Sequence, residues 1–271
     1  MALIRQFAQY HSRTFPKQLS IVSSSFSTMS SSSATAAAAA AAAASTATTP
    51  STTSPLVLQT ADFVREQLSS NDASHDWRHI ERVWTLARTL AEEENVSAEN
   101  IEIVDLAALL HDIDDWKYQT EDAPTKRAVQ FLESQSVPSE KIARVMAIVD
   151  NMGFKEELGG GQREITVEFG CVQDADRLDA IGAIGIARCF TYGGHKKRAL
   201  YDPEVPPTEE LSKEQYMQQG RASPTMNHFY EKLFKLRGMM KTHAGRRIAE
   251  ERHAFMEAFV AQFYKEISGR G

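Results

Sequence analysis

A chain of 271 residues with 42% hydrophobic content is long enough to bury a sizeable core in one or two domains. The net charge is −6, but the first 61 residues hold three of the 30 basic side chains and none of the 36 acidic ones, so the rest of the chain stands at −9. That balance excludes a nucleic-acid polymer as partner, because attraction to phosphate backbones needs a basic face, and no uncharged run is apolar enough to anchor the chain in a membrane.

The N-terminal segment is the sharpest break in composition. Arg5, Arg13 and Lys17 are basic, residues 23–33 are rich in hydroxyls, and residues 36–44 are unbroken alanine. This looks like an organelle transit peptide, and we expect a disordered leader over 1–55 followed by one domain over 56–271. Its Ser/Ala/Thr content and Met-Ala start favour a chloroplast or other plastid. Arg5 and Arg13 beside Ile4 and Phe7 would also suit a mitochondrion. A low-complexity tail with Met29 as an alternative start would leave a cytosolic form. A secretory signal is excluded, since residues 7–15 are too broken by polar groups to form an apolar core.

Beyond the leader, apolar residues recur at three- and four-residue steps without the alternation of strands, so the expected fold is all-α. Helices are predicted over 56–68, over 75–94 with a cap among residues 71–74, over 98–112 with Ser97 as cap, and over 123–135 and 139–151. A long apolar helix follows over 165–192, in which Gly182 and Gly185 would permit close helix approach. A loop over 193–207 and two amphipathic helices, 224–241 and 245–267, close the chain. Cys171 and Cys189 lack C-x-x-C spacing and read as reduced core residues.

Three motifs carry chemistry. His79 lies on the flank of the second helix, His111 and Asp112 end the third, and Asp176 stands within Asp174-Ala175-Asp176-Arg177-Leu178. Two imidazoles and two carboxylates form a mixed nitrogen and oxygen set that suits one borderline divalent ion, with Mn first and Ni, Co, Fe, Zn or Mg as alternatives. Such an ion makes water a nucleophile at neutral pH. Adjacent ligands on a helix diverge by roughly a hundred degrees, so the His111-Asp112 pair should sit where the helix ends.

The order His, distant His-Asp, distant Asp resembles the HD superfamily of metal-dependent phosphohydrolases. His79-x-x-Arg82-Val83, the His111 to Lys117 segment, the Asp174 to Arg188 segment, Tyr192 to Lys196, Asn227 to Leu233 and Ala249 to Met256 are similar to its small stand-alone bacterial branch. The resemblance implies a single all-α HD-domain bundle with a metal site in its core. It maps the last metal carboxylate to Asp176, the one followed by Arg-Leu, and implies hydrolysis of a (deoxy)nucleoside triphosphate to monophosphate and pyrophosphate. A nucleoside 5′-monophosphatase is the alternative, although that pattern has Glu where this chain has Asp115; a silent nucleotide-sensing module is the alternative of another class.

Around the metal set, Asp115 is the preferred general base and Lys117 a cation for phosphate charge, against the alternative that Asp114 and Asp115 continue a solvated helix end. His75 reads as a metal-site partner or a surface residue. Arg177 can hold a phosphate or make a structural ion pair, and Asp179 can orient a ligand or the substrate, with Asp174 ranking behind it. The basic run His195, Lys196 and Lys197 can clamp a polyphosphate or be a solvated loop, with Tyr192 and Tyr201 stacking on a base or anchoring it. The partner is thus a small nucleotide or another phosphorylated metabolite, and a homodimer is open.

Overall fold

The computed structural model describes residues 53–69, 76–114, 126–152, 165–208 and 223–270, so residues 1–52 of the expected leader, His75, Asp115 and Lys117 lie outside the described residues, while the last leader positions, Ser54 and Pro55, already belong to the start of the first helix. Among the described residues every regular element is helical, as the periodicity requires. In chain order they are α1 Pro55–Gln67, α2 Trp77–Glu93, α3 Ala98–Leu110, α4 Arg127–Ser134, α5 Ser139–Val149, α6 Val167–Asp179 and α7 Gly182–His195. A short irregular stretch then leads to α8, His243–Ile267.

Local chemistry sets the helix starts. Ser54 and Ser97 accept the N–H groups of Val57 and Asn100, and Pro55 occupies the first helical position of α1. The cap of α2 is Asp76, whose carboxylate accepts the N–H of His79 at 3.1 Å. α2 therefore begins two residues later than expected, and its cap lies outside 71–74.

At the centre is α3. An amphipathic stripe was expected, yet the eight consecutive residues Ile103 to Leu110 are all buried. The reason is that α1, α2, α5 and α6 all pack on this helix, and a helix enclosed on every side is apolar all round. α2 and α6 flank it and also pack on each other. The one charged side chain inside, Asp105, accepts from Trp84 Nε1 at 2.8 Å and from Arg88 Nη1 at 2.9 Å, which clamps α2 to α3.

Two expected elements are broken. The long helix over 165–192 divides into α6 and α7 at Ile181, which is extended, and Gly182, whose φ of +73° favours glycine. A Cβ on Gly185 would lie 2.2 Å from the carbonyl oxygen of Ala180, so this glycine lets α7 turn back against the end of α6. α7 also runs on to His195, into the expected loop. The segment 224–241 is a π-helical turn, Phe229–Leu233, one α-helical turn, Phe234–Leu236, and a 3-10 turn, Arg237–Met239. It ends there because the buried Asp174 carboxylate accepts the N–H groups of Lys241 and Thr242 and turns the chain into α8.

Adding a methyl group at position 185 forces the backbone apart. Gly185→Ala should lower stability by about 2 kcal/mol or more, as overpacking against backbone does, and thermal unfolding of the two proteins measures it.

Candidate metal centre

His79 is held at the start of α2 by the Asp76 cap and is 1% exposed at its side chain. His111 follows the last residue of α3 and Asp112 lies in the turn beyond, so the pair falls where the backbone leaves the helix. Asp176 comes from the last turn of α6. Helices that pack on one another thus bring all four side chains to one point.

There the metal-facing nitrogens meet the carboxylates. His79 Nε2 is 3.4 Å from Asp112 Oδ2 and 3.6 Å from Asp176 Oδ1. His111 Nε2 is 3.5 Å from Asp112 Oδ1 and 3.8 Å from Asp176 Oδ1. One ligand atom each from His79, His111 and Asp176 fall within 4.8 Å of one another, while Asp112 straddles the imidazole pair with a different oxygen to each. Donors about 2.0–2.2 Å from a shared ion lie roughly 3–4 Å apart, so these spacings suit one divalent cation.

The opposite edge of each ring is also determined. His79 Nδ1 lies 2.7 Å from Asp179 Oδ2 and His111 Nδ1 lies 2.8 Å from the Ala108 carbonyl. A carbonyl and an ionised carboxylate only accept, so both Nδ1 atoms carry the proton and both Nε2 lone pairs point at the cluster. His111 Nε2 is buried and has no hydrogen-bond partner among the described residues, as a metal-donor nitrogen would be. This donor set fits a divalent metal.

Electrostatics fixes the charge on Asp179. Burial opposes ionisation of Asp179, but hydrogen bonds from His79 and Arg82 hold its carboxyl far below the usual range. Burial opposes charge on His79, but its contacts with Asp112 and Asp179 outweigh this and raise its pKa, so a cation at Nε2 competes with a proton for that nitrogen. The imidazoles are 1% and 2% exposed, whereas Asp112 and Asp176 are 21% and 34% exposed. The cluster is therefore closed behind the histidines and partly exposed beside the carboxylates.

Several other nominated residues lie elsewhere or do other work. Asp179 is buried behind His79, bonded also by Arg82 Nε at 2.7 Å and Arg188 Nη1 at 3.0 Å, so it orients a ligand rather than meeting substrate. Arg177 is buried and donates to the Met239 carbonyl at 2.8 Å, tying α6 to the turn before α8. Asp174 accepts the N–H and hydroxyl of Thr242, the residue that caps α8, and Asp114 accepts the N–H groups of Arg127 and Ala128 at the start of α4. His195, Lys196 and Lys197 are exposed at the end of α7, roughly 10 Å along its axis from Arg188, which bonds Asp179, at 1.5 Å per residue. Lys196 and Arg198 lie over the Tyr192 ring at 5.5 and 5.2 Å. Arg82 and Arg188 were missed as site residues; the signal was the matched three-residue spacing of His79 to Arg82 and Asp176 to Asp179, which puts each pair on one helix face.

The HD domain model matches residues 76–181, which hold all four converging side chains. Bacillus subtilis YpgQ is 37% identical over 212 residues, 78% of this chain and 93% of that protein. The chain belongs to the HD-domain family. An HD-superfamily hydrolase from Bacillus thuringiensis has a similar structure at 40% identity, with a TM-score of 0.60 over 78% of this chain and 96% of that one. YpgQ in complex with ADP gives a TM-score of 0.59 at 35% identity, over 78% of this HD-domain chain and all of the other.

Because Asp179 sets the ring orientation of His79, Asp179→Asn should weaken Mn2+ binding by about 10–100-fold while helicity is kept. Titration calorimetry with Mn2+ and far-UV circular dichroism on the same samples check both halves.

Proposed function

We propose that this HD-domain chain hydrolyses a small phosphorylated metabolite, most specifically a (deoxy)nucleoside triphosphate cleaved to monophosphate and pyrophosphate, with Mn2+ as the favoured ion. The observation that carries the reading is the buried, unpartnered Nε2 of His111 close to Asp112 and Asp176, whose carboxylates are partly exposed. The ADP complex of YpgQ supports a nucleotide as the ligand class. When bound, a divalent ion supplies Lewis acidity to a phosphate oxygen and lowers the pKa of water.

The protein's own groups do the rest. His79 and His111 hold the site rigid through Asp179 and the Ala108 carbonyl, and Asp112 and Asp176 supply the charge that retains a cation. Asp115 follows Asp112 by three residues, and Asp114 ties the turn between them to the start of α4. Asp115 is the proposed acceptor of the proton from the attacking water. Attack at the α-phosphorus breaks its bond to the bridging oxygen, and pyrophosphate departs with that electron pair. Lys117 is the proposed cation that meets the charge on the departing group.

A panel of nucleoside mono-, di- and triphosphates with Mn2+, Mg2+, Co2+ and Ni2+, scoring orthophosphate and pyrophosphate separately, tests this. Triphosphates should release pyrophosphate in equal amount to monophosphate, and His111→Ala or Asp112→Ala should fall to the level of metal-stripped protein with helicity kept. Orthophosphate from monophosphates would favour the phosphatase alternative. Full turnover without metal would refute both.

A further inference from the structure

α4 begins without a cap of its own, because Lys126 at its N-cap position makes no side-chain hydrogen bond to the helix. Its first N–H groups are met from upstream: Asp114 Oδ1 accepts from Arg127 N and Oδ2 from Ala128 N, each at 3.2 Å. The Arg127 side chain then reaches back across the same junction. Nε donates to Asp114 Oδ1 at 3.2 Å, Nη2 donates to the Ile113 carbonyl, and Nη1 reaches Oε1 of Gln67, the last residue of α1, at 3.4 Å. One guanidinium thus joins the end of α1, the turn after α3 and the start of α4. Solvent screens the pair only in part, since Arg127 is 23% and Asp114 17% exposed.

The residues it holds are the two that follow Asp112. Ile113 N donates to the Leu110 carbonyl at 3.2 Å and the Ile113 side chain is buried, so α3 and the core fix the inner side of the turn. The Ile113 carbonyl lies beyond the helix end, where such groups need donors from elsewhere, and Arg127 supplies one. Asp112 stands between these anchors and turns Oδ1 toward His111 and Oδ2 toward His79. A rotation of the turn would therefore upset both approaches at once. His79 and His111 are aimed through their own Nδ1 atoms, whereas Arg127 holds the backbone that carries Asp112.

We infer that Arg127 is a positioning residue of the metal centre, which sets the orientation of Asp112 by clamping the Ile113 carbonyl and the Asp114 carboxylate to the start of α4. The inference rests on the metal-centre reading within the proposed function and adds a group outside the four converging side chains on which one of them depends. Lysine replaces it only in part, since a single ammonium does not match the fork that meets a carbonyl, a carboxylate and an amide oxygen together.

Titration calorimetry with Mn2+ and electron paramagnetic resonance of the Mn2+-saturated protein test it on the parent, Arg127→Gln, Arg127→Lys and Lys141→Gln. Lys141 pairs with Glu102 near the start of α3, away from the His111 end, and so reports the effect of losing an ion pair between helices that does not touch the turn. Arg127→Gln should bind Mn2+ at least about tenfold more weakly, as loss of a group that orients a metal ligand does, and with an altered resonance spectrum. Arg127→Lys should fall between it and the parent, and Lys141→Gln should keep the parent's spectrum and an affinity within about threefold. Parent-like affinity and spectrum in Arg127→Gln, or an equal loss in Lys141→Gln, overturn the inference and leave Arg127 a brace of α4 alone. Should Arg127→Gln not fold, Arg127→Lys decides by the same two readings, parent-like values overturning it. A parent that binds no Mn2+ refutes the metal centre and the inference together. A parent that binds Mn2+ but hydrolyses no nucleotide refutes the proposed activity, and the role of Arg127 is still decided by the binding of Mn2+.

Discussion

The hydrogen bond from His79 Nδ1 to Asp179, 2.7 Å long and almost wholly buried, determines which nitrogen of that ring is free. With the proton held on Nδ1, the Nε2 lone pair must point at Asp112, Asp176 and His111. Asp179 can play this part only as an anion, and the guanidiniums of Arg82 and Arg188 keep it one in a place where burial alone would protonate it. His111 has the simpler version of the same device in the Ala108 carbonyl of its own helix. Ring orientation is thus set before any ion arrives, so binding need not order the ligands.

The helices around the centre serve that geometry. α3 is the enclosed axis of the bundle and ends where the His-Asp pair begins; α2 and α6 lie against it and bring His79 and Asp176 to the same end. Two further aspartates near these motifs cap helices, Asp76 on α2 and Asp114 on α4, and a third, Asp174, holds Thr242, the residue that caps α8. The acidic character of the region therefore has two physical sources, a metal-facing set and a capping set. An ion bound here also stabilises the fold: at about a thousand times its dissociation constant it adds roughly 4 kcal/mol.

The all-α class and most helix positions were legible, because three- and four-residue apolar spacing is a local signal that packing reinforces. The four converging side chains were legible too, since imidazoles and carboxylates in that order have few other uses together. What could not be read were the outcomes decided by contacts distant in sequence. Gly182 and Gly185 read as helix-packing residues, and only the turn of α7 against Ala180 shows that they separate two helices. Arg177 was nominated on charge, yet it is buried and donates to the Met239 carbonyl, whereas Arg82 is distinguished only once Asp179 is seen beside it.

The central claim is that one divalent cation sits between His79, His111, Asp112 and Asp176. A crystal of protein soaked in Mn2+, with anomalous scattering recorded at the manganese edge, tests it most directly. The account predicts a single strong peak about 2.0–2.3 Å from the Nε2 atoms of His79 and His111 and bonded to oxygens of Asp112 and Asp176. A peak bound elsewhere on the chain, with these four side chains left as they are, would contradict it.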